Sequence, residues 1–382
     1  MADRCDVAVV GGGLTGLLAA DRLARAGVDV LLIDSPQPPA AASTRSAGLV
    51  ALGWIDSPAR LVAALGAPRA RSLVGWSAAA VESLRATAAE LAVPWEPTGS
   101  LRVAMDPQDA SAWGESVELL QRWGLGGGAT LLADDAVSAL GPGDRFLAAA
   151  RVPDDAVIDL RQLLTALTRR FAGAGGRTVS ATVSVEAGSG APVLVGADGE
   201  RITAELVVAA PGVAAPTLHP FFRSCVYPVR VQGLELSAGG DAVPTPILAR
   251  HRFESAVATR SGGLVFSGCR WADQPEMGAG ETDDGTLSAR VSAAQDAWLA
   301  QNLGVEAHAA RRWAGIVTCT CDGLPLIGPL PGAPRVIAAV GWSGWGLSLA
   351  PRAVDVICSG ILGETPPDGE PLPDLLTARR LV

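Results

Sequence analysis

The first 34 residues order themselves as strand, glycine turn, helix, second strand and terminal acid. Val7-Ala8-Val9-Val10 is an apolar strand, followed at once by Gly11-Gly12-Gly13-Leu14-Thr15-Gly16. A helix from Leu14 to Ala26 is closed by Gly27, and Val30-Leu31-Leu32-Ile33 is a second apolar strand ending in Asp34. Gly11 permits the tight turn, Gly13 lets the backbone approach a pyrophosphate, and Gly16 lets the helix pack against the strand. Unpaired first-turn amides and the helix dipole then face the phosphates. Asp34 is placed to accept hydrogen bonds from a ribose diol, and Ser35 follows it. With 45 glycines in 382 residues the bare spacing is weak, since roughly 0.6 chance matches are expected. The flanking strands, the helix and the acid are independent requirements, and all are met. A dinucleotide is therefore expected on Gly11, Gly13, Leu14, Thr15, Gly16, Asp34 and Ser35.

Composition excludes other classes. A net charge of −9 argues against nucleic acid or an anionic membrane surface as the main partner. Val336–Val340 and Leu206–Ala210 are strand-sized, and no apolar run reaches membrane length. The chain enters its first strand by about residue 7, which leaves no room for a signal peptide. The six cysteines (5, 225, 269, 319, 321, 358) lack zinc or redox spacing and read as small buried thiols; no metal site is expected. A cytoplasmic location fits these features. All 30 basic residues are arginine, and asparagine occurs once, at 302.

Beyond residue 50, the stretch 57–92 reads as helical, Leu101–Met105 as a strand, Ala110–Trp123 as a helix and Asp134–Leu140 as a short helix. Asp159 N-caps a helix from Leu160 to Ala172. Thr178–Val185, Val193–Gly196 and Glu205–Ala210 read as strands; 226–236 and 245–270 read as longer antiparallel strands. Thr286–Leu303 reads as a helix, and 364–373 as a proline-rich surface segment. The expected fold class is α/β: a Rossmann-like nucleotide domain from 1–80, 151–215 and 311–382, with an antiparallel-sheet substrate domain from 81–150 and 216–310.

Several stretches carry a family resemblance in matching order. They are the glycine fingerprint, Ser43-Thr44-Arg45-Ser46-Ala47-Gly48, Asp159 opening a helix, Arg312-Trp313-Ala314-Gly315 through Asp322-Gly323-Leu324-Pro325-Leu326-Ile327-Gly328, and Val340-Gly341-Trp342-Ser343-Gly344-Trp345-Gly346-Leu347. The chain resembles the D-amino-acid oxidase, glycine oxidase and sarcosine oxidase superfamily of FAD-dependent amine-oxidising enzymes. The resemblance implies oxidation of a C–N bond to an imine by hydride transfer to flavin N5. It places Ser43, Thr44, Arg45, Ser46, Ala47 and Gly48 beside the flavin, and Val183, Ala210 and Gly212 against the nucleotide. Gly341, Ser343, Gly344, Trp345, Gly346 and Leu347 would direct a helix N-terminus at the flavin pyrimidine edge. Some relatives attach FAD through a cysteine; the matching position here is Gly315, so noncovalent FAD is implied.

Three departures shape the expected substrate. Where glycine oxidase-like relatives place an arginine for the substrate carboxylate, this chain has Val317. Either Arg45, Arg230, Arg250, Arg252, Arg270 or Arg312 serves instead, or the substrate has no free carboxylate. Trp54, Trp271, Trp342 and Trp345 cluster around the expected flavin face, although any one tryptophan is most often core; with Arg270, Trp54, Trp342 and Trp345 are the candidate catalytic lining. Together they imply a bulky or aromatic amine. The lysine that helps sarcosine oxidase-like relatives react with oxygen has no counterpart. O2 or another electron acceptor both remain open, as does oligomeric state. His219, His251 and His308 are scattered, so positioning would carry catalysis. Two alternatives are a tailoring oxidase or dehydrogenase of a natural-product intermediate, and a non-catalytic flavin subunit of a hetero-oligomeric dehydrogenase.

Overall fold

Short runs rich in Val, Ile and Leu, each bounded by glycine or a helix, build a parallel layer first. The computed structural model describes residues 4–36, 42–54, 56–250, 253–273 and 279–381. Strand Arg4–Val10 lies between Val30–Asp34 and Arg201–Ala209, parallel to both, with Val7 opposite Val30 and Leu206. Its residues from Val7 to Val10 are all buried, as strands covered on both faces require. Arg177–Ser180 extends the sheet beside Val30–Asp34. On its other edge Arg201–Ala209 serves two further neighbours: its beginning pairs antiparallel with Val193–Gly196, its end parallel with Ala333–Val340.

Helices Leu14–Arg25, Leu160–Gly173 and Gly346–Leu362 bury their apolar faces in one core with Ala67–Glu90, around Leu17, Leu23, Leu73, Leu163, Phe171 and Leu349. Partly buried ion pairs register them: Arg170 Nη2 meets Asp21 Oδ2 at 2.6 Å, and Arg22 Nη1 meets Asp355 Oδ1 at 2.7 Å. The Asp159 cap forms as the sequence implies, its Oδ1 accepting from the Gln162 amide at 3.0 Å. Such a cap is worth about 1 kcal/mol.

The second sheet has eight strands, beginning Ala309–Thr320, Val226–Leu236, Leu264–Ser267, Glu254–Ala258, Ile247–Ala249 and continuing through Ser100–Ala104 and Ala148–Val152. Its pairs are antiparallel except Ile247–Ala249 against Ser100–Ala104. Helix Ala289–Leu303 covers one face, with Trp298 stacked on Phe266 at a centroid distance of 4.9 Å. The other face is turned toward the parallel layer.

Several expected boundaries move. Residue 311 falls inside Ala309–Thr320, which pairs along its length with Val226–Leu236; the chain rejoins the parallel layer at Leu326–Leu330. Residue 81 falls inside helix Ala67–Glu90. The 57–92 stretch is two helices, Pro58–Leu65 and Ala67–Glu90, because Gly66 takes φ +82°. Thr178–Val185 divides where the Ala181 amide turns back to the Asp34 carbonyl, giving Arg177–Ser180 and Val183–Glu186. The 245–270 stretch is three short strands instead of long ones. Helix Pro107–Trp123 starts earlier than expected because Asp106 caps it, and Ala289–Leu303 starts later because Ser288 does. Cys5, Cys225, Cys269 and Cys358 are buried, Cys319 is half-buried, and Cys321 is exposed, against the expectation of burial. Among the described residues no helix is long and apolar enough to cross a membrane.

Candidate active site

At the first strand's end, φ +108° at Gly11 turns the chain so tightly that a Cβ there would collide with the Ala210 carbonyl oxygen. A Cβ at Gly16 would collide with the Gly11 carbonyl oxygen, so the helix is seated directly on the turn. The Gly12 amide donates to Asp34 Oδ1 at 2.8 Å, and a Cβ at Gly12 would lie 2.6 Å from Asp34 Oδ2. Turn, helix and acid are thus locked together, with Asp34 still exposed. One first-turn amide is already taken: Leu14 N–H donates to Ser43 Oγ at 3.0 Å, which fastens the Ser43–Gly48 loop to the helix start. Ser35 Oγ lies 2.8 Å from Thr182 Oγ1.

A second glycine turn faces the first. Gly341 takes φ +84°, Ser343 φ +50° and Gly344 φ +87°, and Trp345 then N-caps helix Gly346–Leu362. Serine in the left-handed region is disfavoured by roughly 1 kcal/mol. The fold holds it there through the Ser343 amide, which donates to the Thr318 carbonyl at 2.9 Å.

Both turns open into one cleft of about 1090 Å³ between the two sheets. Its wall includes the expected cofactor residues except Gly16, Gly48 and Val183, and of the expected lining Arg270, Trp342 and Trp345 but not Trp54; of the other described candidate arginines it includes Arg45 and not Arg230, Arg250 or Arg312. Gly16 and Gly48 support the turns from behind; a Cβ at Gly48 would strike the Ile158 carbonyl oxygen. Val183 is buried in the core, and its neighbour Thr182 lines the cleft instead. Trp54 is 2% exposed, its indole N–H donating to the Leu73 carbonyl. It faces a separate cavity of about 30 Å³ shared with Trp113, Arg102 and Trp345. Trp271 is also outside the cleft wall; its indole N–H donates to Glu254 Oε1 at 2.8 Å.

The opposite wall is the open face of the second sheet. Along Ala309–Thr320, alternate positions place Trp313, Gly315, Val317 and Cys319 on one side. Trp313 lies across Gly233, where a Cβ would be 2.7 Å from its Cζ2. Trp313 belongs to the Arg312–Gly315 motif, and its period-two spacing from Gly315 and Val317 is the sequence signal for its place on this wall. Phe253, at the cleft rim, was missed outright and has no local pattern. Gly315 sits under Arg45, a Cβ there falling 3.2 Å from the Arg45 Cβ. Arg45 Nη2 pairs with Asp284 Oδ2 at 3.1 Å, while Arg45 Nε is buried without a partner.

The chain's own groups suit a dinucleotide: two helix starts, a carboxylate at the end of a strand, and glycine-lined backbone with no side chain in the way. Arg45 lines that space as well. Among the described residues no acid–base pair complements them. His219 Nδ1 accepts from the Phe221 amide at 3.2 Å, and burial pushes its pKa down. His308 is exposed, and His251 lies outside the described residues. Among the described residues no cluster could hold a metal ion.

Comparison with known proteins agrees with this geometry. The family model described as FAD dependent oxidoreductase (DAO) matches residues 6–357. A glycine oxidase from Bacillus licheniformis is 26% identical over 95% of this chain and 94% of its own length. A D-amino acid dehydrogenase from Rhizobium johnstonii is 27% identical over 90% of this chain and 92% of its own. The crystal structure of glycine oxidase from Geobacillus kaustophilus superposes with a TM-score of 0.75 at 23% identity, covering 95% of this chain and 96% of that one.

Proposed function

Because the chain belongs to the DAO family of FAD-dependent oxidoreductases, we propose that it oxidises the C–N bond of a bulky or aromatic amine or amino acid to an imine. The carrying observation is the single cleft in which the nucleotide turns face an aromatic sheet wall, Trp313 over Gly233 and Trp342 at the second turn. FAD, when bound, would supply the electron-accepting chemistry, taking up the hydride from the carbon of the C–N bond while the amine nitrogen gives up its proton to solvent.

What this chain's residues do is bind and orient. The turns at Gly11 and Gly341 offer main-chain amides, and Asp34 offers a carboxylate positioned by Gly12. Ser43 and Arg45 tie the intervening loop to the helix start and to Asp284 across the cleft. Val317 and Trp313 form an apolar floor that excludes water from a substrate's side chain. Among the described residues no side chain is placed as a dedicated base, so rate comes from holding the substrate amine in one geometry.

The test is anaerobic reduction of the purified yellow enzyme by a panel running from glycine and sarcosine to phenylalanine and bulkier aromatic amines, followed by absorbance. Aromatic amines are expected to bleach the flavin faster than glycine. Fast reduction by glycine, or none by any amine, would refute the proposal.

A further inference from the structure

Six arginines are candidates for a substrate carboxylate, and five of them are described; of these, Arg45 and Arg270 line the cleft. Four of those five are committed to carboxylates. Arg45 pairs with Asp284 at 3.1 Å, Arg230 with Glu281 at 3.4 Å, Arg250 with Glu254 at 3.0 Å, and Arg312 with Asp296. Arg270 differs. It lines the cleft and has no carboxylate partner among the described residues; its guanidinium lies over the Phe253 ring, 4.8 Å from the centroid.

Stacking uses the face of a guanidinium and leaves its in-plane N–H donors available. Those donors form the planar fork that suits a carboxylate.

The surrounding structure is built to hold this cation still. Gly268 takes φ +141° and Cys269, which is not glycine, takes φ +60°, so the backbone immediately before Arg270 is strained. Gln295, fully buried, donates to both the Gln232 and Gly268 carbonyls and fixes that approach. On the other side, Trp271 is held by Glu254, a fully buried carboxylate whose second oxygen takes Arg250. Burial pushes the Glu254 carboxyl upward, against the pull of Arg250, Trp271 and the Cys269 backbone. Glu254 is thus consumed by the neighbours of Arg270 and leaves Arg270 without a carboxylate partner among the described residues. Its charge reaches Cys319 on the cleft wall, where burial nevertheless keeps the thiol up.

We infer that Arg270, stacked on Phe253, is the substrate-anion residue of this enzyme. It receives the carboxylate of an amino acid whose apolar part lies along Trp313 and Trp342. The substrate class is then an amino acid with a bulky side chain, not a simple amine. This rests on the amine-oxidising reading above.

The experiment titrates phenylacetate and phenylacetamide into the oxidised holoenzyme and follows the flavin absorbance. Wild type, R270L, R270Q and R270K are compared, with thermal melts to register folding. Wild type is expected to favour phenylacetate. R270L and R270Q should lose roughly tenfold to a hundredfold in phenylacetate affinity, as loss of hydrogen bonds to a charged group implies, with phenylacetamide unchanged. R270K, keeping a charge without the fork, should fall between. If R270L does not fold, R270Q carries the comparison. Unchanged phenylacetate binding in the neutral variants, or equal loss for both ligands, would overturn the inference. So would a slowed reaction of the reduced enzyme with oxygen while phenylacetate binding stays intact, since the cation would then serve the acceptor. If no amine reduces the flavin yet the phenylacetate contrast appears, Arg270 stands as the anion residue and the proposed reaction fails.

Discussion

Asp34 carries two duties in one carboxylate. Oδ1 holds the Gly12 amide at 2.8 Å, and the exposed group faces the cleft where a ribose diol would sit. Asp34→Ala removes the acceptor for both, so FAD retention is expected to fall by about 1–3 kcal/mol, measured as the dissociation constant of reconstituted apoprotein. Retention equal to wild type would show that the acid does not touch the cofactor. Gly315 supports a second expectation. The position under Arg45 has no thiol, and the half-buried Cys319 is displaced along the strand, so FAD should be held noncovalently. Acid precipitation should release all the yellow colour; colour left in the pellet would point to Cys319 as an attachment site. Trp342 and Trp345 separate at this scale. Trp342 is half-buried on the cleft wall, so Trp342→Ala should weaken aromatic ligands. Trp345 is 6% exposed, also borders the inner cavity and caps a helix. Trp345→Ala should therefore lower the melting temperature as well.

Elements far apart in the chain are joined by ion pairs. Asp155 is fully buried, accepts from the Leu52 amide at 2.6 Å and from Ser100 Oγ, and forms an ion pair with Arg102 Nη2 at 2.8 Å. Arg102 Nη2 also donates to the Leu52 carbonyl at 2.8 Å. This clip joins the second sheet to the segment that leads from the Ser43–Gly48 loop to Trp54. Asp155→Asn leaves a buried guanidinium without its counter-charge and is expected to cost about 3–5 kcal/mol, read as a shift in denaturation midpoint. At the chain's other end Arg380 grips Asp322 through Nε at 2.6 Å and Nη2 at 3.0 Å. Burial raises the Asp322 carboxyl, but Arg380 outweighs it and the folded pKa lies below 3.8. The stability it contributes is therefore present above pH 3.8 and is lost as pH falls through the lower folded value. Acid unfolding of Asp322→Asn should lack that component. These tethers explain what the sequence could convey. The nucleotide turn was legible because its requirements are all local: two strands, three glycines and an acid within a few dozen residues. The second sheet was legible only as antiparallel character, because its register depends on partners far along the chain, such as Ile247–Ala249 against Ser100–Ala104. Trp54 illustrates the limit: its nearness in sequence to the Ser43–Gly48 loop said nothing about the side it faces, and packing against Leu73 turned it inward.

At the scale of the whole molecule, the remaining variable is where the electrons go. Curated relatives of similar identity include a glycine oxidase and a D-amino acid dehydrogenase, so kinship alone does not choose between oxygen and another acceptor. The chain contains no lysine, which leaves arginine and helix ends as its sources of positive charge near a reduced cofactor. A guanidinium spreads its charge over a plane, whereas an ammonium concentrates it. The start of helix Gly346–Leu362, opening onto the cleft, contributes a partial positive charge of fixed direction. Arg270 adds a full charge once product has left it. Together these keep a positive field in the cleft, and the reduced enzyme is expected to act as an oxidase. The check is to reduce it anaerobically, mix it with aerated buffer and follow reoxidation by stopped flow, with salt varied to screen the field. Reoxidation faster than that of free flavin, and slowed in Arg270→Leu only after product is released, would fit an arginine shared between substrate and oxygen. Reoxidation no faster than free flavin would make this protein a dehydrogenase and turn the search toward a quinone or protein acceptor.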